Sequence, residues 1–222
     1  MRLRALYTDP KFVYLALDFC PKGDLFQYLN DFDGDLWELT TRCLWDVASA
    51  LVYLQEQQIA HRDVKPENIL CDRGDTFRLC DFGWAVRFGP DTHHHTTLCG
   101  TAEYVPPEMI RVPPVAYHPQ HVDSWALGVL AYELIHNTTP FSVSPPRTTS
   151  RIFGKIRSFR GFAPKAGGNR EYVEFVSGLM EPDPEQRWGP WKALERLEEW
   201  RSEDRENMGV TMRRASNPEH RS

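Results

Sequence analysis

The sequence lacks the features that mark membrane-spanning, disulfide-bonded and nucleic-acid-binding proteins. No apolar run approaches the ~18 residues that span a bilayer, and the longest candidate, Ala126 to Ile135, is interrupted by Glu133. The 5 cysteines are an odd number without C-x-x-C spacing, which favours reduced thiols over a disulfide framework. A net charge of −5 gives no case for a nucleic acid or an anionic membrane as partner. We therefore expect a protein of the cytoplasm or nucleus.

The composition is that of an ordinary folded domain. Of 222 residues, 41% are hydrophobic and 26% are charged, which argues against wholesale disorder. At about 150 residues per domain, the length predicts one full domain and a remainder. The patterning is mostly helical with a few short strands, so we predict a mainly α (α+β) fold.

Strand signals are few and lie mostly near the start of the chain. Arg2–Tyr7 and Phe12–Phe19 flank a turn, and the second is apolar enough to predict a buried strand. Shorter strands are predicted at Ile69–Cys71 and Phe77–Cys80, around the turn formed by residues 72–75. This strand content is too small to close a sheet by itself. We expect only the remnant of a larger sheet, in the form of two strands.

Helical signals dominate the rest. Asp24 is a predicted N-cap for Leu25–Asn30, and an apolar stripe from Leu36 predicts a longer helix ending near Gln57. Residues 81–108 lack periodicity and predict one long, functional loop. The remaining predicted helices are Asp123–Ile135, which is apolar nearly all round and so buried, then about Arg151–Phe159, Glu171–Met180 and Pro190–Arg201, with a surface excursion at Pro140–Thr149.

Four short motifs carry the chemistry of the chain. They are HRDVKPEN at 61–68, DFG at 81–83, VPPE at 105–108 and DSWALG at 123–128. Taken alone, DFG is usually a turn and a Pro-Pro-Glu a helix entry. Together, in this order and spacing, they resemble the C-terminal lobe of a eukaryotic protein kinase. The lysine at position 65 resembles the serine/threonine-specific branch.

The resemblance implies a transferase that moves the γ-phosphate of ATP to Ser or Thr side chains of proteins. Such transfer depends on positioning and on charge neutralisation more than on covalent help. Asp63 would accept the proton of the substrate hydroxyl, and Lys65 would offset charge on the transferred group. Asn68 and Asp81 are hard oxygen donors that suit Mg²⁺.

The same resemblance implies an adenine site. Leu70 would pack under the adenine ring, and the family's hinge would run through residues 17–20. Backbone groups of Asp18 and Cys20 would bond the adenine edge, with Leu17 as the gatekeeper. ATP and Mg²⁺ are therefore the expected cofactors.

Three further residues are assigned structural roles by the resemblance. Glu108 and Arg187 fit a buried ion pair that braces the substrate loop. The alternative for Arg187 is a solvated residue at a helix end. Asp123 is the first residue of the fourth motif, and it is expected to have a structural role, as are Glu108 and Arg187.

A finer resemblance points to the Aurora kinases. It rests on DFGWAV at 81–86, TTLCGT at 96–101 and YVPPEMI at 104–110. The Trp after DFG and the double Pro are the discriminating features. The resemblance extends from Leu3 to about Trp200 and is weakest at 140–170. It implies protein substrates, a possible activating protein partner, and association with spindle, centrosome or chromosomes.

The Aurora resemblance also implies a switch. Thr97 would be the activating phosphosite, a phosphate there could be clamped by Arg62, and Thr101 falls in the same regulatory segment. The chain departs from the family at residues 93–95, which are three histidines in place of basic arginines. Metal binding is an alternative role for these histidines, and equally for the other two nearby, His118 and His121.

The resemblance covers only a hinge and a C-terminal lobe. No G-x-G-x-x-G motif is present, and the first lysine, Lys11, lies in a turn on the wrong side of the hinge. We divide the chain into remnant strands and hinge at 1–19, the kinase lobe at 20–202 and a flexible charged tail at 203–222. Ser216, in the tail sequence RRAS, is either a target for basic-directed kinases or part of a solvated tail.

Three hypotheses remain from the sequence. The chain is a truncated record of a Ser/Thr kinase, a non-catalytic short isoform or pseudokinase that acts as a protein-binding module, or a degenerate relic. The intact residues Asp63, Lys65, Asn68 and Asp81 argue against long relaxation into a scaffold. We expect the chain by itself to show no measurable kinase activity with Mg·ATP, because it carries neither a glycine-rich loop nor a strand lysine.

Overall fold

The computed structural model describes residues 2–89, 95–162 and 170–201. The predicted tail at 203–222 and its Ser216 lie outside the described residues. The prediction of a mainly α (α+β) fold, of the kind that the C-terminal lobe of a protein kinase has, is confirmed. In the described part of the chain, helices predominate and each of the three sheets has only two strands.

The chain opens with an antiparallel hairpin. Strand β1 spans Leu3–Thr8 and strand β2 spans Val13–Leu17. The turn between them is closed by Asp9, whose carboxylate accepts bonds from the N–H groups of Lys11 at 2.7 Å and Phe12 at 2.8 Å. An aspartate accepting bonds from the N–H groups two and three residues on is turn chemistry of the kind that this sequence predicts.

The prediction of a buried second strand is wrong. Along β2, Val13 is 65% exposed and Leu15 is 57% exposed. The strand pairs with β1 alone, and no element of the described residues covers the outer face of the hairpin. Apolar composition predicts a strand correctly here, but burial needs a second layer.

Two capped helices follow the hairpin. Helix α1 spans Leu25–Asn30, and Asp24 accepts a bond from Gln27 N–H at 2.8 Å. Helix α2 spans Leu36–Glu56 and is capped by Asp35, which accepts from two N–H groups of the first turn. The predicted apolar stripe of α2 is buried from Leu39 onward, with Ala50 half-buried, and forms one wall of the core, whereas Leu36 at its start is exposed.

Short strand pairs bracket the first two motifs. Strand β3 at Ile59–Ala60 pairs with β6 at Val86–Arg87, and β4 at Ile69–Cys71 pairs with β5 at Phe77–Leu79. The segment predicted as one long loop therefore contains a strand, β6, and a 3-10 turn at Pro107–Ile110. Two-residue strands are too short to produce a recognisable pattern in the sequence.

The second half of the chain is helical. Helix α3 at Gln120–His136 is buried along most of its length, as predicted, and is followed by α4 at Thr149–Ser158, α5 at Arg170–Leu179 and α6 at 190–201. The predicted surface excursion before α4 is only partly exposed, because Phe141 is buried and stacks on Trp125 at 5.8 Å. None of the described helices is long and apolar enough to cross a membrane.

A buried ion pair joins the 3-10 turn at Pro107–Ile110 to the segment before α6. The Arg187 guanidinium donates to both oxygens of Glu108, at 2.7 and 2.9 Å, and to the carbonyl of His121 at 2.9 Å. The side chains are 1% and 6% exposed, and the guanidinium lies 5.0 Å from the ring centroid of Trp125. With both charges bonded, neither is left uncompensated in the core.

Removing one charge of this pair should destabilise the fold. We expect Glu108→Gln to lower the free energy of unfolding by about 3–5 kcal/mol, because it leaves a buried guanidinium without a carboxylate. Urea denaturation measures the loss. The matched control is Glu195→Gln, which breaks an exposed pair with Lys192 and should cost less than about 1 kcal/mol. Equal losses for the two variants would contradict a bracing role for Glu108.

Candidate active site

Three side chains meet around the carboxylate of Asp63. Asp63 is 7% exposed and lies in the loop between β3 and β4. Its oxygens contact Lys65 Nζ at 3.2 Å, Asn68 Nδ2 at 2.8 Å and Thr101 Oγ1 at 3.0 Å. Lys65 Nζ also donates to Thr101 Oγ1 at 2.8 Å. The arrangement fixes a buried carboxylate by one charge and two neutral donors.

The loop that carries Asp63 is held from below by α3. The N–H groups of His61 and Arg62 each donate to the Asp123 carboxylate at 2.7 Å. Burial raises the pKa of Asp123, and the charges and N–H bonds of the loop oppose that rise. A buried carboxylate is stable here only because it accepts these bonds. Asp123 therefore acts on the backbone of the loop rather than on the Asp63 carboxylate.

A glycine lets the segment around Thr101 approach the loop. Gly100 has a φ of +81°, and a Cβ at this position would lie 2.6 Å from the carbonyl oxygen of Arg62. Arg62 also has a positive φ, of 65°. Any side chain at position 100 would push the two backbones apart, so the bond between Thr101 and Asp63 depends on this glycine.

Asp81 is positioned through the backbone. The Cys80 N–H donates to the carbonyl of Asn68 at 2.9 Å, and the His61 ring donates from Nε2 to the carbonyl of Cys80 at 2.8 Å. Asp81 follows with a φ of 59°, and its Oδ1 accepts from Gly83 N–H at 3.1 Å. The side chain of Asp81 is exposed. Its link to Asp63 is indirect and runs through the backbone of Cys80, which is bonded to Asn68.

The donors available for a metal ion are two oxygens. The described residues contain no group of three His, Cys, Asp or Glu side chains that could hold a metal ion. Asn68 donates from Nδ2 to Asp63, which leaves its Oδ1 available as an acceptor, and the exposed Asp81 carboxylate offers the second oxygen. Mg²⁺ is often held by one or two protein oxygens together with waters and substrate phosphates, so this donor set fits Mg²⁺ better than a zinc centre.

The predicted adenine residues lie at the end of the hairpin and on β4. Leu17 is exposed, Cys20 is buried and Leu70 is half-buried. The Asp18 side chain accepts from Arg4 Nε at 2.5 Å, and this bond lowers the pKa of Asp18. Its N–H donates to the carbonyl of Arg2 at 3.0 Å. The N–H of Asp18 is therefore engaged within the hairpin, which leaves its carbonyl as the backbone group available to a ligand.

The segment around Thr97 is tied to Arg62 by a tyrosine that the sequence motifs do not include. Tyr117 is buried, and its hydroxyl donates to the Thr97 carbonyl at 2.6 Å while accepting from Arg62 Nη1 at 3.3 Å. Arg62 Nε also donates to the carbonyl of Trp84 at 2.9 Å. Thr97 itself is exposed. The spacing of Tyr117 from any motif gave no signal of this link.

The histidines give no metal centre in the described residues. His93 and His94 lie outside that part of the chain, and His95 exchanges two backbone bonds with Tyr117 at 3.0 and 2.9 Å. The rings of His118 and His121 stack with centroids 5.4 Å apart. Burial and the nearby Arg187 charge lower the pKa of His121.

A second feature missed by the sequence motifs is an acidic cluster formed by Glu67, Glu103 and Glu133. Burial raises the pKa of Glu133, a hydrogen bond from the Tyr104 hydroxyl opposes this rise, and the charges of the other two glutamates add to it. The three residues come from distant parts of the sequence. The one signal in the sequence is the presence of Glu133 in the otherwise apolar run from Ala126 to Ile135.

Comparison with known proteins agrees with the motifs. The protein kinase domain family model matches residues 1–197. The chain is 35% identical to an Aurora kinase of Schizosaccharomyces pombe over 84% of its own length and 50% of that relative's. It is 34% identical to Aurora kinase A-A of Xenopus laevis, over 84% and 44%, and 34% identical to an Aurora kinase of Encephalitozoon cuniculi, over 87% and 69%.

The chain spans about half the length of the first two of these relatives. As a family, protein kinases use ATP and Mg²⁺ and act on proteins. The extent of the family match, together with the motif residues gathered around Asp63, decides the classification. The chain belongs to the protein kinase domain family, in which it is most similar to the Aurora kinases.

Proposed function

We propose that the chain carries the catalytic loop of a serine/threonine protein kinase that transfers the γ-phosphate of ATP to Ser or Thr hydroxyls of proteins. The observation that supports this most directly is the Asp63 carboxylate bonded to Lys65, Asn68 and Thr101. A carboxylate with this support stays in one orientation while a hydroxyl approaches it.

Asp63 is the group that receives the substrate proton. The hydroxyl oxygen of the substrate forms a bond to the γ-phosphorus as the bond from phosphorus to the β-γ bridging oxygen breaks, and the hydroxyl proton passes to the carboxylate. Lys65 lies 3.2 Å from Asp63 and balances charge that builds up on the phosphoryl oxygens. Thr101 accepts from Lys65 and donates to Asp63, so it holds the amine and the carboxylate at a fixed separation.

The nucleotide would lie between the hairpin end and β4. Leu17 and Leu70 offer apolar contacts to the adenine, and the backbone of Asp18 and Cys20 offers hydrogen bonds to its edge. When bound, Mg²⁺ would neutralise charge on the phosphates. Asn68 Oδ1 and the Asp81 carboxylate are the oxygens of this chain that would hold it.

Loss of the Asp63 charge should abolish phosphoryl transfer. In the native gene product purified from its own cells, we expect Asp63→Asn to lower the rate of phosphorylation of a Ser peptide by about 10²–10⁴-fold, the usual contribution of a general base. Incorporation of radiolabelled phosphate from ATP measures the rate. The control is Asp72→Asn, a half-buried residue paired with Arg78 in the turn between β4 and β5, which should keep normal activity. Full activity of the Asp63 variant would refute the proposed role.

Thr97 is proposed as the activating phosphosite. Its side chain is exposed, and its backbone is linked through Tyr117 to the Arg62 guanidinium, the cation that would meet a phosphate. A phosphate would add nearly two negative charges beside this arginine.

Mass spectrometry of protein from dividing cells should find phosphate on Thr97. Thr97→Ala should lower activity toward a Ser peptide, because the clamp with Arg62 cannot form. Thr96→Ala, one residue earlier, is the matched control. Absence of the phosphate at high coverage of this peptide would remove the switch from the proposal.

The acidic cluster favours substrates with basic residues, as in the resembled family. We expect Glu133→Gln to raise KM for an Arg-containing Ser peptide several-fold with little change in kcat, since one attraction of about 1 kcal/mol is lost. Because burial raises the pKa of Glu133, its charge is lost at a higher pH than that of an ordinary glutamate as pH falls, and KM for this peptide should rise accordingly. Steady-state kinetics at several pH values tests both effects, with Glu195→Gln as control. An unchanged KM in the Glu133 variant would rule out this role.

A protein-binding module without catalysis is the second candidate function. The exposed apolar side chains of the hairpin favour it, since contiguous apolar surface often marks a protein contact. A cellular phenotype that survives Asp63→Asn would favour the binding module over the kinase.

Two further proposals rest on the similarity to the Aurora kinases. One is an activating protein partner. The other is a location in the cytoplasm or nucleus, with association to the spindle, centrosome or chromosomes.

A further inference from the structure

The part of the chain between α3 and α5 carries charge of one sign. The net charge of the protein is −5, yet residues 137–170 contain no Asp or Glu. The cations of this stretch are Arg147, Arg151, Lys155, Arg157, Arg160, Lys165 and Arg170. It overlaps the stretch where the resemblance to the Aurora kinases is weakest. Charge segregated in this way makes a positive field on one part of an acidic protein.

Arg151 and Arg157 are held by backbone carbonyls rather than by carboxylates. Arg151 Nη1 donates to the carbonyls of Ser144 at 2.7 Å and Pro146 at 2.9 Å, and Arg157 donates twice to the carbonyl of Ile110, at 3.2 and 2.9 Å. Over the part of the chain that the structure describes, no carboxylate pairs with the cations from 147 to 160. Ordered cations lose less entropy when they bind an anion.

A cleft of about 530 Å³ lies beside α4 in this positive region. Its lining consists of two arginines and four apolar residues: Pro107, Arg111, Val112, Pro113, Val115 and Arg157. Val112 is 82% exposed and Val115 is 47% exposed. We call this the Arg111–Arg157 cleft. Arginine beside exposed apolar surface is the composition that protein interfaces favour.

The chemistry of the cleft selects one class of partner. Nucleic acid is disfavoured because Phe153 and Phe159, the aromatic residues of α4 and its C-cap, pack against the core and offer no stacking platform. A membrane is disfavoured because Ile152 and Ile156 of α4 are buried, so the helix has no apolar face to insert. An acidic protein segment with interspersed apolar side chains would satisfy both the cations and the valines.

We propose that the Arg111–Arg157 cleft docks an acidic, partly apolar segment of another protein, and that the cations of 147–160 steer that segment to it. This goes beyond the proposed function, because docking requires neither ATP nor Asp63. The steering predicts an affinity that falls as salt is raised.

The probe is a fluorescent peptide in which glutamate alternates with leucine, and fluorescence anisotropy with the full chain measures its affinity. Its reference is the same peptide with glutamine in place of glutamate. We expect the acidic peptide to bind more tightly, and Arg111→Glu and Val112→Asp each to weaken it about fivefold. Both positions are exposed, so the variants should keep the thermal midpoint of the parent chain. The control for charge is Arg73→Glu, in the exposed turn between β4 and β5.

Other outcomes overturn the proposal. Equal affinity for the two peptides, or equal weakening by Arg73→Glu, would show that no specific cleft is used. Tighter binding of duplex DNA or of phosphatidylserine vesicles, lost in the Arg111 variant, would assign the surface to a different class of partner. A concentration-dependent dimer in light scattering, lost in the same variant, would assign it to a second copy of the chain. The two proposals can fail separately. A chain that binds the acidic peptide but transfers no phosphate would contradict the proposed kinase function and still support peptide docking.

Discussion

The hydrogen bonds from the backbone of His61 and Arg62 to the buried carboxylate of Asp123 are the interaction on which the rest of the site depends. They anchor the loop between β3 and β4 to a helix that lies within the core. Arg62 adopts a left-handed conformation at the same point, a backbone state that needs support from its surroundings. From this anchored loop, Asp63, Lys65 and Asn68 all project toward one place.

The site is therefore built in layers of decreasing burial. Trp125 and its neighbours form the base, the Asp123 carboxylate joins that base to the loop, and the partly accessible Asp63 group lies above it. The Glu108–Arg187 pair performs a similar task for the segment that follows Thr101, and it contacts the same tryptophan. The buried Asp123 carboxylate and the buried Glu108–Arg187 pair thus fix the two stretches of chain that meet at Thr101. The geometry of the candidate site is a property of the core rather than of flexible surface loops.

The parts of this arrangement that could be predicted from the sequence are those with a local signal. Asp24 caps α1, the apolar stripe fixes α2, and the motif residues mark the loop that carries Asp63. What could not be predicted depends on the packing of distant segments. Tyr117 reaches Thr97 and Arg62 across gaps of many residues, and the charges of Glu67 and Glu103 act on the pKa of Glu133 only in the folded chain. The prediction that β2 is buried is wrong because apolar composition shows only that a strand is suited to burial. Whether it is buried depends on a second layer of structure packed against it, which the composition of the strand does not reveal.

The backbone at Gly100 lies very close to the backbone at Arg62. The missing side chain of this glycine is what allows two backbones to touch, so the distance between the Thr101 segment and the loop that carries Asp63 is set by a single hydrogen atom. The smallest replacement, a methyl group, would lie 2.6 Å from the carbonyl oxygen of Arg62, so it would widen the gap and move the Thr101 hydroxyl away from the Asp63 carboxylate. The nearest atoms that a side chain at position 100 would meet all belong to Arg62 and Asp63. A change at this one position would thus act first on the spacing of two polar backbone segments, not on the packing of apolar side chains.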